Sequence, residues 1–474
     1  MNETPIAKEE LFSRLPSPWP ESLLQSIRAR VEAQGQRLVV LDDDPTGTQT
    51  VHGLPVLTEW SVDSLALELA RSPVFFVLTN SRALPNGEAI TLAREIGTNL
   101  IEAGRRSGRA FAVGSRSDST LRGHFPAEVD AMAETLSAGD RDAFTGYVIA
   151  PYFAEGGRFT VGNVHYVLQG DMLHPAAQTE FAKDRVFGYA HSDLPEWVEE
   201  KTRGRVKAAE VVCITLDDLR KGGPAAVTGK LMRMPNGGAA IVNSADDRDQ
   251  EVFVMGLLDA ERAGRRFLYR TAASFVRVRG GIPPKPLLAA EETRGEGTHG
   301  GLVVVGSYVA KSSEQLQAAL QVPGVTGVEL KVEALLDPNT GERELARAQA
   351  EVNRRLEGGE DTVLFTSRAL RTGRGAEENL AIGKKVSNAL CRIVTNLSIR
   401  PRFLIAKGGI TSSDVATRGL GVRRAMVLGQ LLPGVPVWEL GAESAFPGMR
   451  YVVFPGNVGQ PDSVAEAIRR FRRR

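Results

Sequence analysis

Leu38-Val39-Val40-Leu41-Asp42-Asp43-Asp44-Pro45-Thr46-Gly47-Thr48-Gln49-Thr50 reads as a buried strand running straight into a loop of three carboxylates and small hydroxyl side chains. Open α/β sheets place ligands at the C-terminal ends of their strands. An acidic turn is the plainer reading, since Asp, Pro and Gly all favour turns. Three adjacent like charges repel, however, and a cation or substrate hydroxyls would relieve that cost.

Working outward, further short apolar runs fall at 74–78, 111–113, 147–149, 211–214, 239–242 and 267–269 in the first half of the chain. In the second half they fall at 302–305, 328–332, 362–365, 403–405, 435–438 and 451–454. Strands alternating with helical stretches predict an α/β fold. Each half supports its own mostly parallel sheet flanked by helices. Helix and strand periodicity both lapse at Gly280-Gly281-Ile282-Pro283-Pro284-Lys285-Pro286 and the polar stretch after it. The expected organisation is a helical extension over 1–36, a substrate domain over 37–282, a linker over 283–300 and a second domain over 301–474, with an active-site cleft between the domains.

Two more strand ends carry chemistry. One is Thr79-Asn80-Ser81-Arg82, the other Gly114-Ser115-Arg116-Ser117-Asp118-Ser119-Thr120-Leu121-Arg122-Gly123. Guanidinium groups at Arg82, Arg116 and Arg122 suit a carboxylate or phosphate, and Asp118 can hold or deprotonate a hydroxyl. Each alone could be a surface ion pair; the shared position is the stronger signal. The loop 150–160 adds Gly156-Gly157-Arg158. In the second half, Gly306-Ser307, Lys407-Gly408-Gly409-Ile410-Thr411-Ser412 and Pro455-Gly456-Asn457-Val458-Gly459 all follow strands. Glycine turns there let backbone approach an anion, so together they predict a nucleotide phosphate cradle. Ser312-Ser313-Glu314-Gln315 fits the opening of a helix with a capping box.

Composition narrows the alternatives. Lys plus Arg (58) nearly cancels Asp plus Glu (57), so the field that drives nucleic-acid binding is missing, and the arginine-rich end, 469–474, reads as a solvated helix terminus. Cys213 and Cys391 stand apart with no zinc or disulfide spacing, and the six histidines show no ligand spacing. No leader or membrane-span pattern occurs, so a reducing, cytoplasmic setting is expected. Gly295-Glu296-Gly297-Thr298-His299-Gly300 matches a dinucleotide-binding string by letter but precedes a strand instead of joining one to a helix.

The loops, in this order, resemble those of the four-carbon acid sugar kinase family, which includes erythronate, threonate and 3-oxo-tetronate kinases. Asp43-Asp44-Pro45-Thr46-Gly47, Ser81-Arg82 and Arg116-Ser117-Asp118-Ser119-Thr120-Leu121-Arg122-Gly123 resemble its substrate loops. Gly306-Ser307, Gly408-Gly409-Ile410-Thr411-Ser412 and Gly456-Asn457-Val458-Gly459 resemble its ATP loops. Three departures stand out: Arg116 for a usual Lys, Ile410 for a usual acid, and Asp42 with Pro45 in the first loop.

The resemblance implies a kinase using ATP and Mg²⁺ on a small sugar acid. Asp118, Asp44 and Arg116 are the expected catalytic residues. Asp43, Asp44, Ser81, Arg82, Arg116, Ser117, Asp118, Ser119 and Arg158 are expected to bind the acid. Ser307, Gly408, Gly409, Ile410, Thr411, Gly456, Asn457 and Gly459 are expected at ATP, with no side chain assigned to a metal. The expected partners are the two substrates, with a homodimer allowed and neither nucleic acid nor membrane involved. A sugar-acid sensor retaining a degenerate site, and a nucleotide-dependent oxidoreductase, are the competing readings.

Overall fold

A computed structural model describes residues 4–137, 144–295, 297–307, 309–368 and 376–472. The chain divides into two compact units, Met1–Val51 with Glu59–Pro284, and His52–Thr58 with Lys285–Arg474.

The first unit is built on seven parallel strands in the order Val212–Ile214, Gly238–Val242, Gly146–Ala150, Phe267–Thr271, Phe111–Arg116, Arg37–Asp42 and Val74–Leu78. Val-Phe-Phe-Val-Leu at 74–78 is wholly buried, as expected of a parallel strand covered on both faces. Within this unit the strand Arg37–Asp42 lies between Val74–Leu78, the unit's next strand in sequence, and Phe111–Arg116, the one after, so the chain reverses direction across the sheet there. Such a reversal opens a crevice at the strands' C-terminal ends. Asp42 is in register with both Leu78 and Arg116, which brings the three loops to one place.

A small antiparallel sheet in the same unit runs Ile6–Ala7, Met172–Pro175, Val164–Gln169, Arg158–Val161. Its core is Tyr152, Phe159 and Leu173, with Phe12 edge-on to Phe159 at 5.2 Å. Arg158 and Thr160, expected in a loop, therefore lie in a strand. The strands of this sheet carry polar and aromatic residues without a long apolar run, which hid them.

In the second unit the order is Leu54–Leu57, Arg424–Leu432, Val435–Leu440, Arg450–Phe454, Leu404–Lys407, Leu302–Val305, Asp361–Thr366, Val325–Leu330. The last five are parallel and the first four pair antiparallel. The expected strand at 328–332 ends at Leu330; Val332–Leu336 is a helix. Ser312 does not open a helix either, because Ala310–Leu320 already contains it. The segment after Pro284 is ordered by Leu288, which is buried, and by Lys285, which bonds Glu292 at 2.6 Å in the short helix Ala290–Thr293 and the Leu428 carbonyl at 3.0 Å.

The final helix, Ser463–Arg472, buries Val464, Ala467, Ile468 and Phe471, a helical stripe, and Phe471 stacks on Phe403 at 4.5 Å. Arg470 donates to the Leu431 carbonyl at 2.7 Å and Arg472 pairs with Asp361 at 2.5 Å, so these arginines tie the helix to its own unit. Arg473 and Arg474 lie outside the described residues. Among the described residues no helix is long and apolar enough to cross a membrane.

Candidate functional site

At the reversal point of the first unit, Arg82 is surrounded by carboxylates. Its guanidinium reaches Asp43 at 3.2 Å, Asp44 at 3.0 Å and Asp118 at 3.5 Å, joining three separate strand-end loops. Asp43 also accepts from the Ser117 hydroxyl at 2.8 Å. Asp44 accepts from the Thr46 amide at 2.9 Å and hydroxyl at 2.6 Å. Asp118 accepts from Arg122 Nε at 2.8 Å and from Thr120. Arg116 is buried 3.7 Å from Asp42, whose Oδ1 accepts no hydrogen bond.

Sterics hold this arrangement. A Cβ at position 47 would fall 1.9 Å from Asp42 Oδ2, and one at 123 would fall 2.5 Å from Ser117 Oγ, where φ is 121°. Glycine is required at both.

Burial and charge divide the acids. Burial raises Asp42 well above the usual carboxylate range, against the pull of Arg116, and raises Asp43 against that of Arg82. Burial is the largest single influence at Asp44 and Asp118 as well and opposes ionisation, but Arg82 together with Thr46 at Asp44, and Arg82 together with Arg122 and Thr120 at Asp118, outweigh it, and both are held low. At neutral pH Asp44 and Asp118 are anions that can accept hydrogen bonds from hydroxyls.

Arg122 and Arg158 both stand over the Phe181 ring, at 5.2 and 5.5 Å. Arg122 is paired with Asp118, whereas Arg158 forms no salt bridge among the described residues and its buried Nε lacks a hydrogen bond. Burial lowers the Arg158 guanidinium, with Asp118 opposing the shift. An anion arriving there would find an uncommitted guanidinium.

Ser81, Ser117 and Ser119 line the same loops. Ser117 holds Asp43, and the Ser119 carbonyl accepts from His165 at 2.8 Å.

Three supporting residues were not legible as such in the sequence. His124 bonds the Ser81 and Leu84 carbonyls at 3.1 and 3.0 Å and so fixes the turn that carries Arg82. Arg270, fully buried, donates to the carbonyls of Asp118 and Arg122 at 2.9 and 3.0 Å. Glu128 lines a small cavity with Asp43, Thr79 and Ser81, and burial pushes it up to about 7. Arg270 did leave a signal, a charged residue near the end of the otherwise apolar strand Phe267–Thr271.

The second unit brings its own strand ends together. Gly408, at φ 117°, would place a Cβ 3.1 Å from that of Ser307, a Cβ at Gly456 would fall 3.6 Å from Ser307 Oγ, and one at Gly306 would fall 2.3 Å from Thr411 Oγ1. Ser307, Gly408, Thr411 and Gly456 are thus neighbours. Ser312 ties the first turn to the last, donating to Ser307 Oγ at 3.0 Å and to the Gly456 carbonyl at 3.2 Å. Gln315 holds the Val458 and Gln460 carbonyls on either side of Gly459 at 3.0 and 2.8 Å.

Gly409 begins the helix Gly409–Asp414, and Ile410 leaves its apolar side chain 65% exposed. Asn457 is exposed at the tip of the closing turn. Two basic side chains given no role of their own in the sequence reading border the cluster. Arg368 donates to the Ser307 carbonyl at 2.7 Å, and Lys407 lies buried beneath the closing turn.

This is a two-unit α/β protein with a cluster of polar and glycine-bearing loops at the strand ends of each unit. Residues 38–279 match the model of a sugar-binding N-terminal domain, and residues 302–464 that of a nucleotide-binding C-terminal domain. The chain belongs to the four-carbon acid sugar kinase family. It is 26% identical over 326 residues to a D-erythronate kinase of Heliobacterium modesticaldum, covering 66% of this chain and 67% of that one. Solved structures from Haemophilus influenzae (TM-score 0.61, 18% identity, 91% of this chain and 100% of that one) and Salmonella typhimurium (TM-score 0.64, 17% identity, 91% and 98%) share the fold.

Proposed function

We propose that the protein transfers the γ-phosphoryl group of ATP to a hydroxyl of a small four-carbon sugar acid, such as a tetronate or 3-oxo-tetronate. The observation that carries this reading is the strand-end cluster of Asp43, Asp44 and Asp118 around Arg82, with Arg158 uncommitted beside it. The likeness to a D-erythronate kinase supports four-carbon acids as the substrate class.

Arg158 binds the acid's carboxylate over the Phe181 ring. Asp118 and Asp44, both ionised, accept hydrogen bonds from substrate hydroxyls and orient the one that attacks. Asp118 then takes that hydroxyl's proton late in the transfer, when the oxygen has become acidic. Arg82 and Arg116 keep the surrounding charge balanced.

The second unit fits a phosphate. Gly408 and Gly456 leave room for close backbone approach, Ser307 and Thr411 offer hydroxyls, and the Arg368 guanidinium and the Lys407 amine form no salt bridge among the described residues. Ser307, Gly408, Gly409, Thr411, Gly456 and Gly459 would hold the phosphates. Ile410 and Asn457, both exposed beside these turns, would meet the rest of the nucleotide. ATP would supply the phosphoryl group, and charge developing in the transfer would be neutralised by Mg²⁺ bound with the nucleotide.

The test is ADP formation from Mg-ATP measured against D- and L-erythronate, D- and L-threonate and their 3-oxo forms, with mass spectrometry of the product. One acid should stimulate ADP release strongly and gain one phosphate. Nucleotide binding without turnover on any of them would defeat the kinase reading.

A further inference from the structure

Lys407 ends the strand Leu404–Lys407, in register with Val305 on one side and Phe454 on the other. Its side chain is fully buried. Nζ donates to the Pro455 carbonyl at 2.6 Å and to the Gly456 carbonyl at 3.0 Å, and stands 4.4 Å from the centre of the Phe454 ring. Both carbonyls belong to the closing glycine turn. Among the described residues no carboxylate pairs with it.

The charged groups on the surrounding elements do not supply one either. Lys311, on the helix Ala310–Leu320, repels it. Arg368, beyond the strand Asp361–Thr366, is a second cation. Asp414, at the end of Gly409–Asp414, is engaged by Ser387 and Arg418. Leu302–Val305 carries no titratable side chain, and Arg450 of the strand Arg450–Phe454 is bound to Glu439 at the opposite end. A buried ammonium without counter-charge is costly, and burial, reinforced by Lys311, pushes Lys407 down to about 7.

We propose that Lys407 couples nucleotide binding to proton uptake: a phosphate anion held by Ser307, Gly408 and Gly456 supplies its missing counter-charge, and the neutral amine takes a proton from solvent as the anion arrives. The inference rests on the reading of this unit as nucleotide-binding. The amine lone pair forms the new N–H bond, and no bond to phosphorus is made or broken. Affinity for the nucleotide then falls as pH rises above neutrality, approaching tenfold per pH unit.

The experiment is calorimetric titration of the full chain with ADP near pH 8, where the ADP phosphates are already ionised, in Tris and in Hepes, whose ionisation enthalpies differ. Wild type should take up about 0.9 proton per ADP, the fraction of amine left neutral one unit above a value of about 7. Lys407→Met should abolish the uptake, and Lys407→Arg, permanently charged, should bind ADP without it. Lysine titrates lower in the folded chain than in the unfolded one, so the native state holds fewer protons between about 7 and the ordinary 10.5, and stability from this group rises with pH across that window. Without nucleotide, any melting advantage of Lys407→Met should therefore be largest near pH 6 and shrink toward pH 10.

Binding heat that is the same in both buffers for wild type, or uptake that persists in Lys407→Met, overturns the inference and leaves the nucleotide reading intact. Absence of ADP binding overturns both. Should neither variant fold, the buffer dependence of wild type still decides.

Discussion

Arg82 Nη2 lies 3.0 Å from Asp44 Oδ2, and the same guanidinium is the shared counter-ion of Asp43 and Asp118. Four charged side chains from three loops thus stand or fall together. Arg82 sits beyond a residue of left-handed backbone, Asn80 at φ 52°, and is held there by His124 on the Ser81 carbonyl.

Arg82→Met should leave three carboxylates without their common partner and destabilise the protein by about 3–5 kcal/mol at neutral pH, the usual cost of breaking a buried pair. Asp44 and Asp118 titrate lower in the folded chain than in the unfolded one, so their contribution is present above the unfolded carboxylate range and lost as pH falls through the folded values. Urea unfolding should therefore show the largest gap between variant and wild type near pH 7 and a smaller gap below pH 4. An equal gap at both would mean the loss is one of packing.

Asp118→Asn keeps the shape and removes the charge. Turnover with the sugar acid should fall by on the order of a hundredfold or more, while calorimetric ADP affinity stays near wild type. Arg158→Ala should behave differently, raising KM for the acid with a smaller change in kcat, because a carboxylate contact is made equally in ground and transition states. Near-normal turnover in Asp118→Asn would pass its role to Asp44.

The parallel strands were legible because burial on both faces demands continuous apolar runs, and Leu302–Val305 and Val74–Leu78 have the bounds read from the sequence. The acidic and glycine loops were legible because their residue types are costly anywhere but at a turn or a site. Less visible were strands such as Arg158–Val161 and Arg424–Leu432, the latter alternating buried and half-buried residues around the bulge-forming Gly429. Supporting roles were hidden as well. Nothing in the letters says that His124 grips the Ser81 carbonyl from more than forty residues away, or that Arg82 is shared by three acids, since those are properties of packing.

Gly408 adopts φ 117°, a conformation L side chains avoid, and a Cβ there would press on Ser307. Gly408→Val should therefore displace the turn and weaken ADP binding by at least tenfold. Sugar-acid binding, read by calorimetry in the absence of nucleotide, should be unchanged. Wild-type ADP affinity in the variant would exclude this turn from the phosphate site.

Glu128 supplies a pH-dependent test of the first unit. It lines the cavity that also contains Asp43 and Ser81, and it is pushed up to about 7 first by burial and further by the charge of Asp43, against a hydrogen bond from Ser81. The folded chain then holds more protons at this group than the unfolded chain between the ordinary 4.5 and about 7, so stability from Glu128 falls as pH rises through that window. Gln is close in shape to the protonated acid and cannot ionise. Glu128→Gln should match wild type near pH 5 and exceed it near pH 8, read as a higher urea midpoint with an unchanged slope. Because ionisation puts a further negative charge beside the acid site, the wild-type enzyme should lose affinity for the anionic sugar acid from pH 6 to pH 8 more steeply than the variant does. A stability difference independent of pH would show that Glu128 is already ionised in the folded protein at pH 5.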